Sequence, residues 1–167
     1  DSWFNVPVEQ ALDNSLRVGR RIYTDAEENH RFFLEKISYD LIAETLLDSK
    51  TEKALFNYTQ ITRGAYNLDA MEIYSAKAQR LTLSISPKII HVPLPAVSAN
   101  DLQKDIHPKG VRSISAINES GELFRTIGTV PFGIKPTEAD AYVVLTNVIP
   151  MEHSESMASI SRGFEEY

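Results

Sequence analysis

Apolar residues fall into two rhythms along this chain, one of helical spacing in the first third and one of strand alternation beyond it. From Phe4 the positions Val8, Ala11, Ser15, Val18 and Ile22 step by three and four, with Leu12 and Leu16 widening the stripe, which predicts a helix from about Val6 to Tyr23. Thr24-Asp25 reads as the cap of a second helix carrying Phe33, Ile37, Leu41 and Leu46. Ser49 with Glu52 matches a capping box for a third, with Leu55, Tyr58 and Ile61 on its apolar side and Gly64 and Asn67 as its stop. The first 67 residues therefore read as almost entirely helical.

At Leu68 the period changes to two. "AMEIYSA" and "RLTLSI" alternate as a hairpin, "VRSISAIN" and "GELFRTIGTV" form a second hairpin about Gly121, and "DAYVVLTNVI" is a fifth, strongly β-branched strand. Between the hairpins, Pro87, Pro93 and Pro95 exclude a central strand, and Ser98 can cap a short helix running to Ile106. After Pro150, the residues Met157, Ile160, Phe164 and Tyr167 return to helical steps. The expected fold class is α+β: long N-terminal helices over 1–67, a roughly five-stranded antiparallel sheet over 68–149, and an exit helix over 150–167, all in one domain.

Composition narrows the function classes. The 167 residues are 43% hydrophobic and 24% charged, ordinary globular material able to bury a core. A net charge of −6, with the 17 basic residues scattered, argues against a nucleic-acid surface. There is no cysteine, so disulfides and thiolate metal sites are excluded and either redox compartment is open. The longest apolar run, Ala141 to Leu145, is far short of the roughly 18–20 residues that cross a bilayer. The sequence starts at Asp1 without Met and stops within a helical pattern, as expected of a piece of a larger protein.

Motifs for chemistry are absent. His30, His91, His107 and His153 have no metal-ligand spacing, and there is no nucleophile elbow, phosphate-binding loop or dinucleotide fingerprint. No catalytic residue, metal site or cofactor is expected in this chain. Ligand-binding candidates are polar residues set within strands: Tyr74, Arg112, Arg125 and Tyr142, where an Arg fork could hold a carboxylate and a Tyr hydroxyl orient it. Strand alternation alone gives the plainer alternative, in which Arg112 and Arg125 face water.

The opening "DSWFNVPVEQALDNSLRVGRRIYTD", the strand "LDAMEIYSAKAQRL" and the ending "SISRGFEEY" together resemble the extracytoplasmic region of NtrY-type sensor histidine kinases, the nitrogen-regulation branch of the bacterial two-component systems. In that family a membrane helix leads into a Trp-Phe-containing helix, matched by Trp3, Phe4, Val8, Ala11, Leu12, Ser15 and Leu16, and a tyrosine matched by Tyr167 precedes the second membrane segment. The element order also resembles the PAS-like Cache sensor fold. The resemblance implies an extracytoplasmic sensing domain of a dimeric, membrane-anchored kinase that uses ATP and Mg elsewhere in its chain and signals to a response regulator. Val8, Ala11, Ser15, Val18 and Ile22 at one end, with Met157, Ile160 and Phe164 at the other, would then be the dimer and signalling seams. A Cache domain of a chemoreceptor or diguanylate cyclase, and a soluble interaction domain, are the competing expectations.

Overall fold

A computed structural model describes residues 3–8, 17–104, 110–118 and 121–149. Six antiparallel strands form one sheet: β1 (Phe4–Pro7), β2 (Ala70–Ser75), β3 (Arg80–Ile85), β4 (Val111–Asn118), β5 (Gly121–Val130) and β6 (Ala141–Ile149), in the order β1-β4-β5-β6-β2-β3. The α+β class and the five strands from residue 68 onward are as expected. The sixth strand is not. Phe4–Pro7, expected to begin a helix, instead pairs with the edge of β4, Val6 opposite Ser115, and buries Val6 against Ile117 and Phe124. Pairing β4's open edge satisfies backbone groups that a helix starting here would leave exposed.

One long helix, α1 (Arg17–Ala43), replaces the two helices expected around Thr24-Asp25. Its 27 residues span about 40 Å and bury Tyr23, His30, Leu34, Ile37 and Leu41 at helical spacing. Thr24 and Asp25 lie on the solvent side, so their capping chemistry has no chain end to act on, and the apolar stripe runs past them unbroken. α2 (Glu52–Ala65) follows a tight turn whose Asp48 side chain, rather than Ser49, accepts the capping hydrogen bond, from Lys50 N–H. The predicted stop holds: Asn67 takes a positive φ of 53°.

Both helices cover one face of the sheet. There Leu34, Ile37, Leu41 and Leu55 pack on Met71, Ile73, Val143 and Leu145. Gly128 on β5 permits the close approach of α1, since a Cβ at this position would lie 3.1 Å from both Leu34 methyl carbons. The opposite face is covered by a strap, residues 86–104, which contains the short helix α3 (Ala99–Leu102), shorter than the expected stretch and capped as expected by Ser98. Val97 and Leu102 of the strap pack on Tyr74, Ile114, Ile127 and Val144.

The expected seam residues divide. Val8 is buried in the cluster formed by Val6, Tyr23, Ile117, Phe124 and Ile149, and Ile22 packs against it. Val8 therefore serves the core and the partly buried Ile22 borders it, the helical period that suggests a seam being the same period that packs a helix on a sheet. Val18 lies in α1, while Ala11, Ser15, Met157, Ile160, Phe164 and the exit helix lie outside the described residues. Large apolar side chains that α1 does expose are Phe32, Tyr39 and Ile42.

Candidate functional site

Strand alternation and the strand order bring all four ligand-binding candidates to the strap-covered face. On β5 the even residues Phe124, Thr126 and Gly128 meet α1, which leaves Arg125 and Ile127 beneath the strap. Tyr74 on β2, Tyr142 on β6 and Arg112 on β4 share that face. The plainer expectation, that the arginines face water, fails most clearly at Arg125, which is 0% exposed.

A buried charge holds that burial together. Arg125 Nη2 donates to Glu72 Oε1 at 2.6 Å, and Nη1 donates to the Pro95 carbonyl of the strap at 2.8 Å. The other oxygen of Glu72 accepts from the Tyr74 hydroxyl and, at 3.2 Å, from Arg80. Tyr74 in turn accepts from Val97 N–H at 2.9 Å. Burial, with the Glu72 carboxylate beside it, pushes the Tyr74 phenol up to about 12, so it stays a donor toward Glu72. Arg80 reaches this face through a register shift between Ile73 and Tyr74, which leaves Leu81 as the extra residue of β3 and turns Arg80 toward Tyr74. Two contacts to strap backbone, at Pro95 and Val97, thus come from one charge cluster on the sheet.

Arg112 is tied differently. Its Nη1 donates to the Asp101 carbonyl at 2.7 Å, and the guanidinium also lies 3.4 Å from the Asp101 carboxylate at the end of α3. Tyr142 donates to the Pro136 carbonyl. The four residues are one face but not one hydrogen-bonded network: Arg125 and Tyr74 join through Glu72, while Arg112 and Tyr142, the latter packed beside Tyr74, hold separate loops. Sequence reasoning missed Glu72 and Arg80. Glu72 lay in a strand between two buried apolar positions, and an acid there is a signal for a buried partner. Arg80 could not be placed without the bulge.

Among the described residues, the buried Arg125 Nε and Thr146 Oγ1 of this face have no hydrogen-bond partner. Arg125 and Thr146 are direct cross-strand neighbours, so the residues carrying the unused donor and the unused hydroxyl are paired on one face of the sheet.

The helix-covered face carries its own polar groups. His30 lies against Thr126 Oγ1 at 2.9 Å and Asn147 Oδ1 at 2.6 Å. The Asn147 amide nitrogen donates to the Asn67 carbonyl and Asp69, so its oxygen faces the ring, His30 Nε2 donates and Nδ1 accepts from Thr126. Burial lowers His30 to about 4, which keeps the ring neutral. Nearer the start of α1, Tyr23 donates to Glu122. A groove of about 710 Å³ at the α1–α2 corner, lined by Leu46, Leu55, Phe56 and Leu81 among others, touches none of the four candidates. Among the described residues no cluster of three His, Cys, Asp or Glu side chains could hold a metal, and no helix is long and apolar enough to cross a membrane.

No protein-family model matches the chain, and no curated protein matches it by sequence. Among solved structures, it is similar to the phycoerythrobilin-bound GAF domain of a cyanobacterial phytochrome, at 16% identity over 79% of this chain and 90% of that one. The TM-score is 0.33, a likeness too distant to define the fold or function of this chain, whose α+β architecture rests on its own strand pairings.

Proposed function

We propose that this chain is the extracytoplasmic stimulus-sensing domain of a membrane-bound sensor histidine kinase of the NtrY type, with a PAS-like sensor fold. The observation that carries the reading is the strap-covered face, where Arg125, Tyr74 and Glu72 hold a surface segment to the sheet through a buried charge network with unused polar valence at its centre. Such a network has two arrangements available, one closed on Pro95 and Val97 and one closed on a ligand. A small carboxylate meeting Arg125 and Thr146 would compete with the Pro95 carbonyl, because a charged acceptor binds guanidinium more strongly than a neutral one. Releasing Pro95 would free the strap, and the sheet would pass the change to α1 on its other face.

In this reading the chain performs no catalysis. ATP, Mg and the phosphoaccepting histidine belong to the rest of the kinase, a response regulator is the downstream partner, and the working form is a homodimer. The exposed Phe32 and Tyr39 of α1 offer the dimer an aromatic stripe in place of the Val8–Ile22 seam.

Thermal shift of the 167-residue chain against acetate, succinate, glutamate, glutamine and ammonium tests the ligand step. A saturable rise in Tm with a carboxylate, lost in Arg125→Lys, is the expected result. Reading the gene on both sides of this segment tests the rest: apolar stretches of roughly 20 residues before and after it are required. Their absence overturns the membrane assignment.

A further inference from the structure

The interface between α1 and the sheet contains an acid with no cation among the described side chains around it. Glu122, 1% exposed, is the second residue of β5 and lies on the helix-covered face. One carboxyl oxygen accepts from the Tyr23 hydroxyl; the other, Oε1, has the buried Ser115 hydroxyl of the adjacent strand near it, and neither has a further hydrogen-bond partner among the described residues. We propose that Glu122, Tyr23 and Ser115 form a proton-operated latch that clamps the first half of α1 to the sheet while the carboxyl is neutral and loosens it when the carboxyl ionises.

The surroundings support the neutral form. From α1, Tyr23 faces the carboxyl, Glu27 one turn on is occupied by Ser113, and His30 is a neutral ring beyond Phe124. From β4 come Ser115 and Ile117, from β6 Ile149, from β1 Val6, and from the residue just after β1 Val8. Among the side chains described on these elements, none facing the site is a cation. A neutral carboxyl has a use for every atom there: it accepts from Tyr23 on one oxygen and can donate its proton from the other to Ser115. An ionised one can accept from both hydroxyls, but it places a desolvated charge, with no described cation beside it, between a helix and a sheet. Burial accordingly raises the Glu122 carboxyl from 4.5 to about 7, with the Tyr23 and Ser115 hydroxyls opposing that rise.

The strain of ionisation falls on α1, because β5 is fixed by strands on both sides while the start of α1 is attached to this corner by Tyr23, Ile22 and Ala26. The latch needs no ligand. Its passage to a kinase output rests on the proposed sensor function, but its own test does not.

Two measurements on the 167-residue chain decide it. Carbon-13 titration of the Glu122 carboxyl is expected to give a midpoint well above the ordinary 4.5. Hydrogen exchange, corrected for its intrinsic pH dependence, is expected to show protection across residues 21–30 falling at least about ten-fold from about pH 6 to about pH 8, as tenfold per pH unit accompanies release of one proton. Glu122→Gln, a permanent mimic of the neutral acid, should hold that protection level across the same range. Should this variant fail to fold, Tyr23→Phe retains the acid and, by removing a donor that favours the charged form, should move the midpoint upward. A Glu122 midpoint near 4.5, or wild-type protection that does not change with pH, overturns the latch. So does a Gln variant with the wild-type profile. None of these results bears on carboxylate binding beneath the strap.

Discussion

Arg125 on β5 and Glu72 on β2 meet over the intervening strand β6, Nη2 to Oε1 at 2.6 Å, and neither side chain reaches solvent. A buried pair of this kind is costly to break from one side, because the surviving charge remains in the interior. Glu72→Met or Arg125→Met alone is expected to cost about 3–5 kcal/mol in urea unfolding, whereas the double Met variant should cost less than the sum. Single variants within about 1 kcal/mol of the wild type would remove the pair from any structural role.

Tyr74 connects that pair to the strap. Tyr74→Phe leaves the Val97 N–H without its acceptor and Glu72 without one donor, at an expected cost of about 1–3 kcal/mol. Amide exchange should quicken at Val97 and along 95–102, with α1 unchanged. Equal quickening on both faces would show that the strap is not an independent unit.

Gly128 sets the height of α1 above the sheet. Gly128→Ala drives a methyl into Leu34 at 3.1 Å and should destabilise by about 1–3 kcal/mol. Adding Leu34→Val, which trims the obstructing side chain, should recover part of that loss. If the Ala variant is as stable as the parent, the helix is not held at the distance described.

Stability should respond to pH through two groups of opposite sign. His30, lowered to about 4, binds fewer protons folded than unfolded, so its contribution is lost as pH falls from about 6.5 toward 4. Glu122, raised to about 7, binds more protons folded, so its contribution is lost as pH rises from about 4.5 to 7. In the shared window the two slopes oppose. Glu122→Gln should therefore reveal a steeper His30-dependent loss on acidification, measured by urea midpoints between pH 4 and 6.5, and His30→Gln should reverse the slope. An unchanged slope in both variants would contradict this account.

The α+β class, all five strands after residue 68 and the Ser98 cap were legible because period and turn chemistry are local. The shared face of Tyr74, Arg112, Arg125 and Tyr142 follows from the same alternation once the sheet order is known. What was hidden is non-local. Phe4–Pro7 is a strand only because β4 has an edge to offer, and nothing in "FNVP" says so. Thr24-Asp25 has the residues of a cap but sits on the solvent side of a helix whose buried stripe overrides them. The partners of Arg125 required pairings 53 and 30 residues away.

Phe4, Ile117, Glu122 and Ile149 occupy one row across four strands, so the first described strand and the end of the last meet at a single corner. That corner is a keystone in packing terms: Val6 within one strand, Val8 just after it and Ile149 at the end of another belong to a single apolar cluster, so a side chain trimmed on either one loosens the seat of both.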